Sequence, residues 1–375
     1  MALKIGKAIM QELESSKTSK RLGEGWISGV LSLLLAIASL VMVVCMHYPE
    51  VLTVPEIRKL VDVTIIRFAV QVMLVIGFIL ASVSLILRQN KVMGLSAAFI
   101  IILSMMLGGS AAQSTQEASG FYFGLDWFLL NLTITGIIFL PFERLFGRVE
   151  QSFFRKEWNE DLFYFAFSSL LVQSLTFLTM LPSTVILANS NFSELQTLIS
   201  SQPIFLQFIE IMLITDFLQY WFHRLFHQVP FLWKFHAVHH SAQSMDWLAG
   251  SRMHLIEIIL LRSLTIIPTY VMGFDTMAIY AYILVVYLYA TYLHANLRFD
   301  VEWLKLFIAT PRFHHWHHGI EKEAIDVNFA IHFPIYDRLF GTYYMPKNKW
   351  PSAYGIKDHP VPSGFIKQFF YPFRK

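Results

Sequence analysis

Apolar residues fall in long unbroken runs along this chain. No Asp, Glu, Lys or Arg occurs from Trp26 to His47, from Phe68 to Leu87 or from Val92 to Gln116. A shorter run covers Trp127 to Phe142 and a long one Leu162 to Ser193. Pro203 to Trp221 contains only Glu210 and Asp216. Met253 to Met272, with Glu257 and Arg262, and Thr276 to Leu293 read as a helical hairpin turning at Gly273 and Asp275. A helix needs about 20 apolar residues to cross a bilayer core. The pattern therefore predicts an all-α integral membrane protein, a bundle of six to eight membrane helices, with the short or charged ones re-entrant. The first run starts late and is too long for a signal h-region, so it reads as an uncleaved first span.

Composition narrows the class. Of 375 residues, 55% are hydrophobic and only 15% charged, and mean hydropathy is +0.51. A soluble domain carries about 25% charge, so a water-soluble fold, disorder and a coiled coil are excluded. A net charge of +3 is too small to mark a nucleic-acid partner. The single cysteine, Cys45, excludes intrachain disulfides and thiolate metal sites. Basic residues set the orientation. Lys4, Lys7, Lys17, Lys20 and Arg21, then Arg88 and Lys91, then Arg144, Arg148, Arg155 and Lys156 share one side, whereas residues 113–126 and 188–202 hold no Lys or Arg. Residues 48–67, of mixed charge, read as a surface-lying helix. The N-terminus is thus expected in the cytoplasm, and residues 223–252 and 294–375 with it.

Those two stretches hold three histidine clusters. HRLFH contains His223 and His227, HAVHH contains His236, His239 and His240, and HHWHH contains His314, His315, His317 and His318. Residues three or four apart share a helix face, so His223 and His227 point the same way. His239 and His240 lie about 100° apart on a helix, enough for neighbours to reach two ions. His315 is out of phase with His314, His317 and His318 and reads as a supporting or surface residue. Eight in-phase histidines exceed the needs of one ion, and imidazoles without thiolate suit iron, zinc or copper. A lone histidine beside a membrane helix is usually interfacial. Eight packed together without metal would each need partners, at roughly 2–7 kcal/mol apiece if unsatisfied.

The segment DFLQYWFHRLFHQVPFLWKFHAVHHS, with SRMHLIE, LHAN, TPRFHHWHHG, DVNFA and YDRLFGTYY, resembles the fatty acid hydroxylase/sterol desaturase superfamily of integral-membrane di-iron enzymes. The resemblance covers about Ile211 to Tyr344. It implies metal ligation by His223, His227, His236, His239, His240, His314, His317 and His318. It further implies His294, in LHAN, which stands alone at the end of an apolar run, and His254, in SRMHLIE, as a ligand or a supporting residue. Where some superfamily members carry another histidine four residues after the LHAN-type one, this chain has Arg298, unlike ceramide-type 2-hydroxylases. Metal-bound histidines need acceptors for their second N–H. Asp216, two turns before His223, is the expected one, with Asp246, Glu257, Asp326 and Asn328 further candidates.

The expectation is then an enzyme that uses two iron ions and O2 to hydroxylate or desaturate a lipid C–H bond. An ether-lipid (alkylglycerol-type) monooxygenase is the alternative within that chemistry, and a membrane metal transporter or a di-zinc lipid hydrolase the alternatives outside it. No G-x-G-x-x-G loop is present, so a cytochrome b5-like carrier or a ferredoxin with its reductase is the implied electron-transfer partner. The histidines would face the cytoplasm at a bacterial inner membrane or the endoplasmic reticulum. The chain divides into N-terminal membrane helices (1–200), a catalytic domain (201–345) and a basic cytoplasmic tail (346–375).

Overall fold

The computed structural model describes residues 2–13, 23–113, 122–152, 154–299, 301 and 303–374. Lys17, Lys20, Arg21 and Gln116 lie outside the described residues. The described chain is helical: α1 Ala2–Leu13, α2 Trp26–His47, α3 Pro49–Leu52, α4 Pro55–Leu60, α5 Val63–Leu87, α6 Val92–Met106, α7 Leu125–Phe146, α8 Trp158–Leu170, α9 Val172–Asn189, α10 Ser193–Ser200, α11 Ile204–Gln228, α12 Pro230–His240, α13 Leu255–Val271, α14 Thr276–His294, α15 Pro311–His317, α16 Ile335–Leu339 and α17 Phe365–Phe370. Among the described residues the only β pairing is two isolated bridges.

Six helical segments are long and apolar enough to cross a bilayer: Trp26–His47, Val63–Leu87, Val92–Ala111, Leu125–Phe146, Ile204–Gln228 and Thr276–His294. A seventh is the pair Trp158–Leu170 and Ser174–Asn189, bent by 57°. The first arm of the expected hairpin, α13, is short. Its 17 residues reach about 26 Å, and Pro268 lies inside it. The segment expected as one surface helix, 48–67, is two short helices, α3 and α4, each opened by a proline, followed by the start of α5.

The chain forms two compact units. The first comprises Met1–Ile137, Gln151–Phe154 and Ser169–Gln173. In it α2, α5 and α6 pack closely through small residues. A Cβ on Gly94 would meet Leu85 Cγ at 2.7 Å, so only glycine permits that approach of α6 to α5. Arg88 and Asn90, in the turn between them, hold Glu12 of α1.

The second unit comprises Ile138–Glu150, Arg155–Ser168 and Ser174–Lys375. Its centre is α11, which packs on α12, α13 and α14, with Ile211 and Met212 against Ala278, Ile279 and Tyr282. Pro230 at the first turn of α12 fixes the reversal out of α11, since a proline there has no N–H to lose. The α13–α14 hairpin turns at Gly273, whose φ of 72° is open to glycine at no steric cost. Asp275 then caps α14 by accepting from Met277 N at 2.7 Å. The residues after Tyr344 fold back on this unit. Ile356, Val361, Phe365 and Tyr371 pack around Tyr164, Ala237 and Val238.

Candidate metal centre

Four helices deliver imidazoles to one region of the second unit. α11 brings His223 and His227, α12 brings His236, His239 and His240, α14 ends on His294, and α15 brings His314 and His317, with His318 as its C-cap. Pro311 and the Thr310 side chain open α15, which holds a seven-residue helix in register. The rings fall into two groups. His223, His227, His236, His240 and His317 form one, and His239, His294, His314 and His318 the other; within each group one nitrogen per residue lies within 4.8 Å of all the others. The adjacent pair His239 and His240 parts between the groups, and so does the pair His317 and His318.

The ring nitrogens that face each other are Nε2 atoms. His223 and His236 approach to 3.0 Å, His240 and His236 to 3.1 Å, and His227 and His240 to 3.2 Å. In the second group His314 and His294 are 3.0 Å apart, His318 and His314 3.2 Å, and His294 and His239 3.3 Å. Nitrogens about 2.1 Å from a shared ion sit ~3.0 Å apart at right angles and ~3.4 Å apart at the tetrahedral angle, which brackets these separations.

The opposite nitrogens fix the tautomers. Nδ1 of His223 donates to Phe329 O at 2.8 Å, His239 to Arg252 O at 3.0 Å, His294 to Ala290 O at 2.8 Å and His317 to Val327 O at 2.7 Å. A carbonyl oxygen only accepts, so the proton is on Nδ1 and the lone pair on Nε2. His236 Nδ1 meets Glu257 Oε1 at 2.5 Å and His227 Nδ1 meets Asp326 Oδ1 at 3.2 Å. The His239–His294 contact is therefore lone pair against lone pair, and His317 Nε2 is buried without a hydrogen bond. Such an array is unfavourable by itself and is what a cation satisfies, so the donor set fits a metal ion in each group. Burial first, and then the neighbouring imidazoles, push His236, His240, His314 and His318 well below the ordinary histidine pKa. His239 and His317 move the same way, burial again leading. All six stay neutral, the form that ligates.

The remaining sequence candidates lie elsewhere. His254 caps α13, Nδ1 accepting from Ile256 N at 3.2 Å and Nε2 donating to Phe369 O at 2.9 Å; its ring is in neither group. His315 is buried and hydrogen-bonds the Tyr354 hydroxyl at 2.8 Å. Asp216 does not reach an imidazole of either group. Its carboxylate accepts from the backbone N–H groups of Ile331, His332 and Phe333 at 2.8–3.0 Å and from His332 Nδ1 at 3.2 Å. It braces the loop whose Phe329 carbonyl holds His223. Asn328, at φ 58°, ties that loop to Phe313 and Tyr344. Asp246 is engaged by Arg155 at 2.6 Å. The acids that do touch box histidines are Glu257, one turn into α13, and Asp326.

Arg252 has no counterpart in the sequence reading. Its guanidinium is fully buried and clamped by Asp161 at 2.5 Å and Glu157 at 3.1 Å, while its carbonyl holds His239. The ion pairs thus fix the position of one imidazole through the backbone. The signal for it was slight: a lone Arg in an otherwise apolar stretch, two residues before His254.

Comparison with known proteins matches residues 208–342 to the family model of the fatty acid hydroxylases. That segment is the part of this chain that is similar to the family. It contains all nine clustered histidines, and its bounds lie close to the Ile211–Tyr344 resemblance. The chain is 31% identical to an ornithine lipid hydroxylase of Rhizobium tropici over 174 residues, 46% of this chain and 52% of that protein. It is 31% identical to an alkylglycerol monooxygenase of Homo sapiens over 147 residues, 39% of this chain and 32% of that one. A very-long-chain aldehyde decarbonylase of Oryza sativa is 30% identical over 145 residues, 34% and 21% of the two chains. The chain spans about half the length, or less, of these relatives. No solved structure matches it. The matched segment runs from α11 to α16, and both histidine groups are built within it.

Proposed function

We propose that this chain is a membrane-bound oxidoreductase that uses O2 to hydroxylate or desaturate a C–H bond of a lipid at a non-haem di-iron centre. The observation that carries the reading is the convergence of nine Nε2 lone pairs, in groups of five and four, behind Nδ1 protons tied mostly to carbonyls and carboxylates. Neutral nitrogen donors without thiolate suit iron, and two iron ions, when bound, supply the O2 chemistry. His223, His227, His236, His240 and His317 would hold one ion, and His239, His294, His314 and His318 the other. Glu257, Asp326 and the backbone carbonyls keep the proton of His223, His227, His236, His239, His294 and His317 on the ring nitrogen facing away from the ion. Burial of the rings excludes water from the reacting region. α11 and α14 carry apolar side chains such as Phe205, Leu213 and Leu284 on exposed surface, which suits a substrate arriving from the bilayer.

Two electrons per turnover would come from a cytochrome b5-like carrier or a ferredoxin with its reductase. The basic residues before α2 and after α7 favour the cytoplasmic face for the histidines, at a bacterial inner membrane or the endoplasmic reticulum. In this reading residues 201–345 are catalytic, 1–200 are membrane helices and 346–375 form a basic tail. The alkylglycerol monooxygenase relatives favour an ether lipid as a second substrate class.

The test is lipid mass spectrometry of cells with and without the protein, joined to metal analysis of the purified protein. The expected result is a lipid that gains one oxygen or loses two hydrogens, with about two irons per chain. Active protein that contains only zinc, which has no redox chemistry, overturns the reading in favour of a hydrolase.

A further inference from the structure

Of the nine clustered histidines, His294 alone shares its helix with no other. It closes α14, and the last four carbonyls of a helix have no partner within it. The His294 carbonyl therefore needs a donor from outside, and His315 supplies one, Nε2 to O at 3.3 Å. Across the same ring, His315 Nδ1 lies 2.8 Å from the Tyr354 hydroxyl. That hydroxyl in turn lies 2.8 Å from Arg148 Nη1.

The direction of this chain of hydrogen bonds is fixed from both ends. A guanidinium only donates and a carbonyl only accepts. Tyr354 accepts from Arg148 and so gives its own proton to His315 Nδ1, which leaves the imidazole proton on Nε2. The His294 carbonyl requires the same tautomer. It is the reverse of the one that the carbonyls impose on His223, His239, His294 and His317. His315 therefore has no Nε2 lone pair to offer an ion, although it stands between His314 and His317. A charged donor at the head of the chain strengthens the bonds that follow.

Each member is held in place separately. Arg148 N donates to Asn296 O at 3.3 Å, Asn296 Nδ2 donates to Val149 O at 2.8 Å, and the guanidinium lies 4.6 Å over the Trp350 ring. Ile320 N donates to Ala353 O at 3.2 Å, which sets Tyr354 beside the end of α15, and Tyr354 packs on Ala242, Met245 and Ala249. His315 is buried and meets Trp350 edge-on, ring centroids 5.3 Å apart. The His294 ring is confined as well, since a Cβ on Gly250 would meet its Nδ1 at 2.8 Å.

We propose that Arg148, Tyr354 and His315 are positioning residues for the four-histidine group, acting through the His294 carbonyl. The segment after Tyr344 is then a working part of the metal centre without supplying a ligand to it. This rests on the reading of the two histidine groups as metal sites.

The measurement is cobalt(II) titration of full-length, metal-free protein in maltoside micelles, competed by nitrilotriacetate and followed by visible absorption of the bound ion. The wild type should bind two ions. Y354F should bind one of them about tenfold more weakly and the other unchanged, the scale of a lost supporting hydrogen bond. H315F should lose at least as much. H315Q, whose amide has both an acceptor and a donor, should recover part of the loss, and it keeps the test decisive if H315F does not fold. V361A removes tail packing against Tyr164 and α12; it should lower the melting temperature and leave both cobalt affinities alone. In an H314A background, where the five-histidine group remains, Y354F should change nothing. Equal cobalt affinities in wild type, Y354F and H315F overturn the proposal and leave the metal reading intact. Equal weakening of both ions, or the same weakening in V361A, also overturns it, because the tail then acts by stability alone. A wild type that binds no cobalt refutes the metal reading, and the proposal with it. Selective weakening in a protein that oxidises no lipid leaves the proposal standing and the oxygenase reading refuted.

Discussion

Each box imidazole has two nitrogens, and the structure gives them separate duties. Nε2 faces its group, and Nδ1 of most is held by an oxygen. A His239→Ala variant should lose metal from the four-histidine group and all lipid oxidation, while circular dichroism reports intact helices; full metal content with normal turnover refutes its role. Glu257→Gln replaces the carboxyl group that holds His236 Nδ1. Loss of such a partner weakens metal affinity about 10–100-fold, and competition with a chelator should show this for one of two ions. Protons act on the same rings. Burial holds the α12 and α15 histidines below their unfolded pKa of about 6.5. The unfolded chain therefore binds more protons as pH falls, so the stability these neutral rings confer is complete above about pH 6.5 and drains away below it. The melting temperature of metal-free protein should fall steeply between pH 7 and 5. The sequence told which residue types cluster, because i, i+3 and i+4 spacing is legible in a helix. It did not tell that Glu257 rather than Asp216 would reach an imidazole, since that depends on how the hairpin packs against α12.

Elements differ in how plainly they can be read. The long spans α2, α5 and α14 follow from uninterrupted apolar runs. The ends do not, because they are decided by caps and turns. α13 begins where His254 accepts from Ile256 N and spends its imidazole on that cap. His254→Ala should therefore leave the metal content intact and destabilise the domain by roughly 0.5–2 kcal/mol, the usual cost of a lost N-cap. Metal loss at constant stability would instead make His254 part of the centre. α3 and α4 were unreadable as two pieces because proline both begins a helix and ends the preceding one, and the run of charges looked continuous. The return of the chain after Tyr344 onto Tyr164 and α12 was likewise hidden. Its apolar residues are too scattered to show a period, and only the packed partner gives them a common face.

For the whole molecule, charge and chemistry lead to one topology. Tags before Met1 and after Lys375 should both report from the cytoplasm in a protease-protection or cysteine-labelling assay, and a tag at Asn191 from the opposite side. A C-terminus found outside would break the charge argument and move the histidines to the other face. The segment similar to the fatty acid hydroxylases was legible at this scale because three boxes and an apolar hairpin recur together. The first 200 residues carry no such chemical signature, and their small-residue packing of α5 against α6 shows only in three dimensions.

One arrangement has the character of a ruler. Twice, at His239–His240 and at His317–His318, consecutive residues serve different groups. The gap between the two centres is thus spanned by single peptide units on two helices, with no bridging side chain needed to set it. Side chains can breathe, but a peptide unit has fixed length and planarity. The spacing should hold when ions of another radius are loaded, with only the ligand bonds adjusting. Inserting one residue between either pair would turn the following ring by about 100° and dismantle both centres in a single step.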